Sequence, residues 1–150
     1  MKQRAIETFI LVSATSLAFT AMMYANPAQA DPVVKITIAG IKARQGNVMI
    51  GLYDEKSWPT DQSLVGVEMP VEGDSINAVL LAPLPGSYAI KIYHDVDGDG
   101  VLGKNIMGLP TEPFGFSNNA PAKFGPAEFK DAAFDIGSDG AAQNITLRLP

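Results

Sequence analysis

From Val33 onward the chain alternates. In VVKITIAGI, Val34, Ile36 and Ile38 fall on one face and Lys35 and Thr37 on the other, the period of two expected of a half-buried strand. NVMIGLYD repeats the pattern with Val48, Ile50 and Leu52. VGVEMPVEGDS is a weaker strand, and Pro70, which donates nothing to a ladder, places it at a sheet edge. INAVLLA follows. Pro83, Pro85 and Gly86 then turn the chain into SYAIKIYHD, where Tyr88, Ile90 and Ile92 alternate with Ala89, Lys91 and Tyr93. DAAFDIG and QNITLRLP predict two more strands, the last with Ile145, Leu147 and Leu149 in register. Between the second and third strands, EKSWPTDQS is irregular and broken by Pro59.

After the first thirty residues no window sustains the i, i+3, i+4, i+7 spacing of an amphipathic helix. Strands separated by turns over this length predict an all-β fold. The expected form is an antiparallel β-sandwich of about seven strands, Ig-like in outline, in one domain over residues 31–150. One long connection, from Asp95 to Lys130, has no regular pattern. Connections of that length are functional or disordered in most domains. Phe114, Phe116, Phe124 and Phe129 lie within or at its end, and disordered segments are poor in aromatics. The expectation is an ordered loop pinned to the sandwich by its phenylalanines.

Residues 1–30 carry a different signal. Lys2 and Arg4 precede the apolar run FILVSATSLAFTAMMYA, and NPAQA closes it with Ala28 and Ala30. That is the layout of a secretory signal peptide, with cleavage expected after Ala30. Residues 8–30 hold no charge, so their length alone also permits a membrane anchor. The Ser and Thr residues in the run, with Asn26, Pro27 and Gln29 at its end, favour cleavage. The expected location is the periplasm or the medium, with no membrane attachment after cleavage.

The chain has 11 basic and 16 acidic residues and a net charge of −5. Without Lys2, Arg4 and Glu7, residues 31–150 keep 9 basic and 15 acidic side chains, a net −6. An acidic domain without a Lys/Arg cluster argues against nucleic acid and anionic membrane surfaces, and suits a cation. The absence of cysteine excludes disulfides, thiolate nucleophiles, Cys-ligated zinc, iron–sulfur clusters and Cys-linked lipid anchors.

The richest local signal is YHDVDGDGVLGKN. Asp95, Asp97 and Asp99 occupy positions 1, 3 and 5 of a loop with Gly100 at position 6, the opening of a calcium loop. Clustered carboxylates supply hard oxygens, the glycine allows a sharp bend, and the carbonyl of Val101 at position 7 adds a ligand. The ending differs from an EF-hand: Gly103 stands at position 9, Ile106 at position 12, and no amphipathic helices flank the loop. The expected metal ligands are therefore Asp95, Asp97, Asp99 and Val101, the expected ion is calcium, and a remote oxygen completes the shell. Asn105, Glu112, Asn118, Asn119 and Asp131 are the candidates for it. The plainer reading is a solvated turn, since Asp-Gly pairs form turns readily.

The segments LPGSYAIKIYHD, GFSNNA and FGPAEFKDAAF resemble the bacterial exported proteins grouped as domain-of-unknown-function family 2141, over about residues 33–150. The resemblance implies a sandwich similar to prealbumin-like and carboxypeptidase-regulatory-like domains, and it implies no reaction. It also implies that His94, Asp95, Asp97 and Asp99 fall in the family's His-Asp-x-Asn/Asp-x-Asn/Asp-Gly motif. Members usually carry Asp near the place of Gly103 and Thr near that of Lys104.

Other chemistry is sparse. His94 is the sole histidine, and with Asp95 and Ser117 it sketches a hydrolase that lacks a nucleophile-elbow context. Asn118 and Asn119 would face a sugar or peptide, or would satisfy loop backbone. Asn144-Ile145-Thr146 is a glycosylation sequon inside an expected strand. The leading expectation is an exported, non-enzymatic protein that presents a binding surface to an extracytoplasmic ligand or protein. The alternatives are a hydrolase using His94 and a purely structural accessory domain.

Overall fold

The computed structural model describes residues 30–123 and 125–149. The expected leader, apart from Ala30, and Phe124 lie outside the described residues. Among the described residues no helix is long and apolar enough to cross a membrane.

The strands follow the alternation. β1 is Val33–Ala39, β2 Asn47–Tyr53, β3 Val65–Pro70, β4 Ser75–Leu81, β5 Gly86–Asp95, β6 Phe114–Phe116, β7 Phe134–Ile136 and β8 Ala141–Thr146. A single helical turn, α1, spans Phe129–Ala132. The strands form two sheets: a three-stranded one ordered β4-β1-β8 and a five-stranded one ordered β3-β2-β5-β6, with β7 also paired to β5. Val34, Ile36 and Ile38 of the first sheet share one buried cluster with Val48, Ile50, Leu52, Ile90 and Ile92 of the second. The two sheets therefore meet through their apolar faces, the arrangement that alternating strands require to hide those faces from water. β3 lies at the edge, paired only with β2, and Pro70 is its last residue.

Three details depart from the expected pattern. β6 is an extra strand of three residues inside the segment that showed no period. β8 runs parallel to β1, with Ile36 beside Gln143 and Ile38 beside Ile145, so the fold is not antiparallel throughout. Alternation marks which face a residue takes and carries no information on strand direction. The reversal from β7 to β8 is made by a turn at Gly137–Gly140. Gly140 has φ +92°, and a Cβ there would sit 2.2 Å from the Val33 carbonyl oxygen, so no side chain fits. Finally, Leu147 is buried while Leu149 is 53% exposed. β1 ends at Ala39, whose carbonyl takes the Leu147 N–H, and Arg148 then pairs with Phe114. Leu149 lies past the last pairing.

A second apolar cluster covers part of the outer face of the five-stranded sheet. It contains Tyr53, Trp58, Ala89, Phe116, Ala120, Ala127 and Ala132, with Phe114 and Phe129 packed against it. The Trp58 ring lies 5.8 Å from Phe116 and 5.9 Å from Phe129, within the range of favourable aromatic pairs. Its indole N–H donates to the Ala127 carbonyl at 2.9 Å. The phenylalanines pin the long segment to the sheet, as expected of Phe114, Phe116 and Phe129.

Candidate metal centre

β5 delivers the site. Its inner residues Ile90, Ile92 and His94 face the core, and its last residue, Asp95, is only 2% exposed. Beyond it the chain turns back through Gly98 and Gly100, at φ +77° and +82°. Asp95 directs that turn. Its Oδ1 accepts the N–H groups of Gly98 (2.8 Å) and Asp99 (3.2 Å), and its Oδ2 accepts that of Gly100 (2.9 Å). Asp99 Oδ1 accepts from Val101 N–H at 2.9 Å, and Asp97 Oδ1 accepts from Asp99 N–H at 3.3 Å. Tyr93, one residue before His94, donates its hydroxyl to the Gly100 carbonyl at 2.8 Å.

The turn brings the three aspartates together. One carboxylate oxygen from each lies within 4.8 Å of the other two. Ligands on opposite sides of a calcium ion at about 2.3–2.6 Å stand roughly 4.6–5.2 Å apart, so the spacing fits one shared hard cation. A carboxylate offers about four acceptor positions. Three on Asp95 already take backbone N–H groups, leaving it a single further contact. Val101 sits in the same turn, its N–H given to Asp99 and its side chain exposed.

Of the five remote candidates, Glu112 is the one brought to the loop. It is 8% exposed. Its Oε1 accepts from Val96 N–H at 2.7 Å and its Oε2 from Gly103 N–H at 2.9 Å, so one carboxylate ties the two ends of the acidic turn together. Asn105 instead caps its own turn through Met107 and Leu109. Asn118 and Asn119, both at positive φ, bond β8 and the backbone of Ala133, and Asp131 lies in α1. Nothing near Glu112 in the chain distinguished it from the other four, because the reach from residue 112 to residue 96 exists only after folding.

The charge balance is unusual. Among the described residues, Asp95, Asp97, Asp99 and Glu112 have no lysine, arginine or histidine partner within 4.0 Å. The ion pairs among the described residues are Arg44–Asp74 and Lys130–Glu128, both exposed. Buried carboxylates are normally paired or metal-bound. Their field reaches Tyr93, whose hydroxyl is held above the usual tyrosine range by burial first and by Asp95 and Glu112 next.

The other sequence candidates are held apart. His94 is fully buried, its Nε2 donates to the Gln45 carbonyl at 2.7 Å, and its Nδ1 has no partner among the described residues. Ser117 is equally buried; its hydroxyl accepts from Ile90 N–H and donates to the Ala132 carbonyl. The strand positions these two side chains mark, Ile90 and His94, are about 13 Å apart at the usual strand rise.

Beside the acidic turn, on the outer face of the five-stranded sheet, runs an open groove of about 960 Å³. Sequence reading did not anticipate it. Lys91, an outward residue of an ordinary alternating strand, stands on its floor.

Two facing sheets with an acidic, glutamate-clamped turn at the end of the longest strand define the architecture. The family described as "Uncharacterized protein conserved in bacteria (DUF2141)" matches residues 36–145, and the chain belongs to that family. No curated protein and no solved structure matches the chain.

Proposed function

We propose that this is an exported, non-enzymatic binding protein with a prealbumin-like or Ig-like sandwich, whose acidic loop is organised by calcium. Asp95, Asp97, Asp99 and the Val101 carbonyl hold the ion, and Glu112 clamps the loop around it. The protein works in the periplasm or the medium on a ligand or protein partner, without nucleic acid and without a membrane once its leader is removed. One observation carries the reading: three aspartates converge on one turn that buried Glu112 ties from outside, and among the described residues none of the four carboxylates is paired with a cationic side chain. A bound divalent ion offsets their mutual repulsion, and because the ion binds the folded loop, its binding free energy adds to stability.

Melting in calcium against chelator tests this. Extracellular calcium modules bind with Kd on the order of 10⁻⁴ to 10⁻³ M. Calcium at ten times Kd then stabilises by about 1.4 kcal/mol, raising Tm by roughly 4–8 °C for a small domain. Asp97→Ala removes an exposed ligand and only one long hydrogen bond, so the variant is expected to fold normally and lose the rise. Identical melts of the parent protein in millimolar calcium and in chelator rule the calcium assignment out.

A further inference from the structure

We infer that the groove on the outer face of the five-stranded sheet binds a long-chain aliphatic carboxylate, with its head group at the Lys91 ammonium. This names a ligand for the binding surface proposed above; it rests on that reading for the surface and not on the bound calcium.

Strand register builds the floor. One row across the sheet is Gly66, Gly51, Lys91 and Phe116; the next is Glu68, Met49, Tyr93 and Phe114. The Gly51–Gly66 pair leaves space that the Tyr53 ring and Ser63 fill, since a Cβ on Gly51 would meet them at 2.7–3.1 Å. The Tyr53 ring is thereby laid beside Lys91, whose Nζ stands 4.5 Å from its centroid and 4.9 Å from that of Trp58. The same Nζ donates to the carbonyls of Trp58 (2.6 Å) and Thr60 (2.9 Å). An ammonium has three N–H donors, and among the described residues two of them are taken by these carbonyls.

The charges lining the groove run against the rest of the chain. Lys91, Lys104 and Lys123 line it with Asp61 and Glu68, a local +1 on a protein of net −5. None of the three lysines has a carboxylate within 4.0 Å among the described residues. A held, half-desolvated ammonium without a carboxylate partner favours an anion, and the surrounding acidic surface selects against one elsewhere.

The apolar half of the ligand follows from the wall. Val101, Met107 and Leu109 line the groove from the hairpin that closes the acidic turn, and each is largely exposed. Met49 and Phe114 face them from the floor. Flexible, unbranched methionines on both sides suit an aliphatic chain better than a rigid ring. An apolar trough with a few convergent polar groups is the usual form of a small-molecule site.

Calorimetry with dodecanoate, dodecanol and dodecyltrimethylammonium, all below micelle formation, separates head group from chain. Dodecanoate is expected to bind at submillimolar Kd, at least tenfold tighter than the other two, the size of a charge-assisted hydrogen bond to a partly buried group. Lys91→Met is expected to bring dodecanoate down to the dodecanol level. Because Lys91 also caps the Trp58–Thr60 turn, a second variant guards the test. Lys104→Glu with Lys123→Glu and Met107→Asp changes exposed side chains only, and is expected to weaken dodecanoate severalfold with the melt unchanged. Equal affinity for dodecanoate and dodecanol, or parental dodecanoate affinity in either folded variant, overturns the proposal. Each titration is run in calcium and in chelator. Dodecanoate binding alongside a calcium-insensitive melt removes the calcium reading and leaves the groove. A calcium-dependent melt without dodecanoate binding in either buffer does the reverse.

Discussion

The two faces of the five-stranded sheet are built on different rules. The inner face is aliphatic: Val48, Ile50, Leu52, Ile90 and Ile92 bury against β1 and β4 of the facing sheet. Every member is given by simple alternation, and the opposing layer covers all of them. The outer face uses the intervening residues of the same strands. Tyr53 and Ala89 lie under an aromatic roof assembled from Trp58, Phe116, Phe129 and Ala127, while Met49, Lys91 and Tyr93 stay open to a groove. The inner face holds the fold together. The outer face is half covered, and the uncovered half is where a ligand can reach polar groups. One strand thus buries its even residues from Tyr88 to Ile92 in the core and lines the groove with Lys91 and Tyr93.

That contrast can be broken at either face. Ile90→Ala removes a fully buried inner side chain and is expected to cost about 2–5 kcal/mol, read as a lower urea midpoint with an unchanged slope. Trp58→Phe strikes the outer roof. It removes the indole bond to Ala127 while keeping a ring, and is expected to cost about 1–3 kcal/mol. Hydrogen exchange is expected to quicken around Ala127 and Lys91 and to stay parental in β1. An equal loss of protection in both sheets would show that the roof is part of the one core, and the contrast would fall.

The smallest effect is on pH dependence. Burial pulls the Lys91 ammonium below the ordinary lysine value of 10.5, with Asp61 opposing. Between the lowered folded value and 10.5 the unfolded chain binds the extra proton, so stability relative to Lys91→Met is expected to rise with pH. Dodecanoate affinity is expected to fall over the same window as the ammonium discharges. Tyr53, raised by burial and by Asp61, and Tyr93 also titrate late in the folded state, and subtraction of the variant's curve removes their share. Stability and affinity moving in the same direction would mean that Lys91 does not receive the head group.

The acidic turn was legible early because its cause is local. Asp95 reaches Gly98, Asp99 and Gly100 within five residues, and the two glycines allow the bend. The inner faces of β1, β2 and β5 were legible from the alternation of side chains along each strand. Short, unalternating FGF gave no period from which to read β6. Leu149 looked like a continuation of Ile145 and Leu147, but β1 ends before it and no ladder keeps it in register.

Sequence alone therefore determined the alternating strands, the edge position of β3 and the acidic turn after β5, which follow from side-chain period, a proline without a donor and glycines beside aspartates. The tertiary structure decided the convergence of the three aspartate side chains, the parallel seat of β8, the choice of Glu112 over four other oxygen donors, the engagement of Ser117 away from His94, and the placing of Lys91, Lys104 and Lys123 around one groove. All but the first depend on segments far apart in the chain meeting across a packed sheet, and a period of two specifies a face to bury without naming what will cover it.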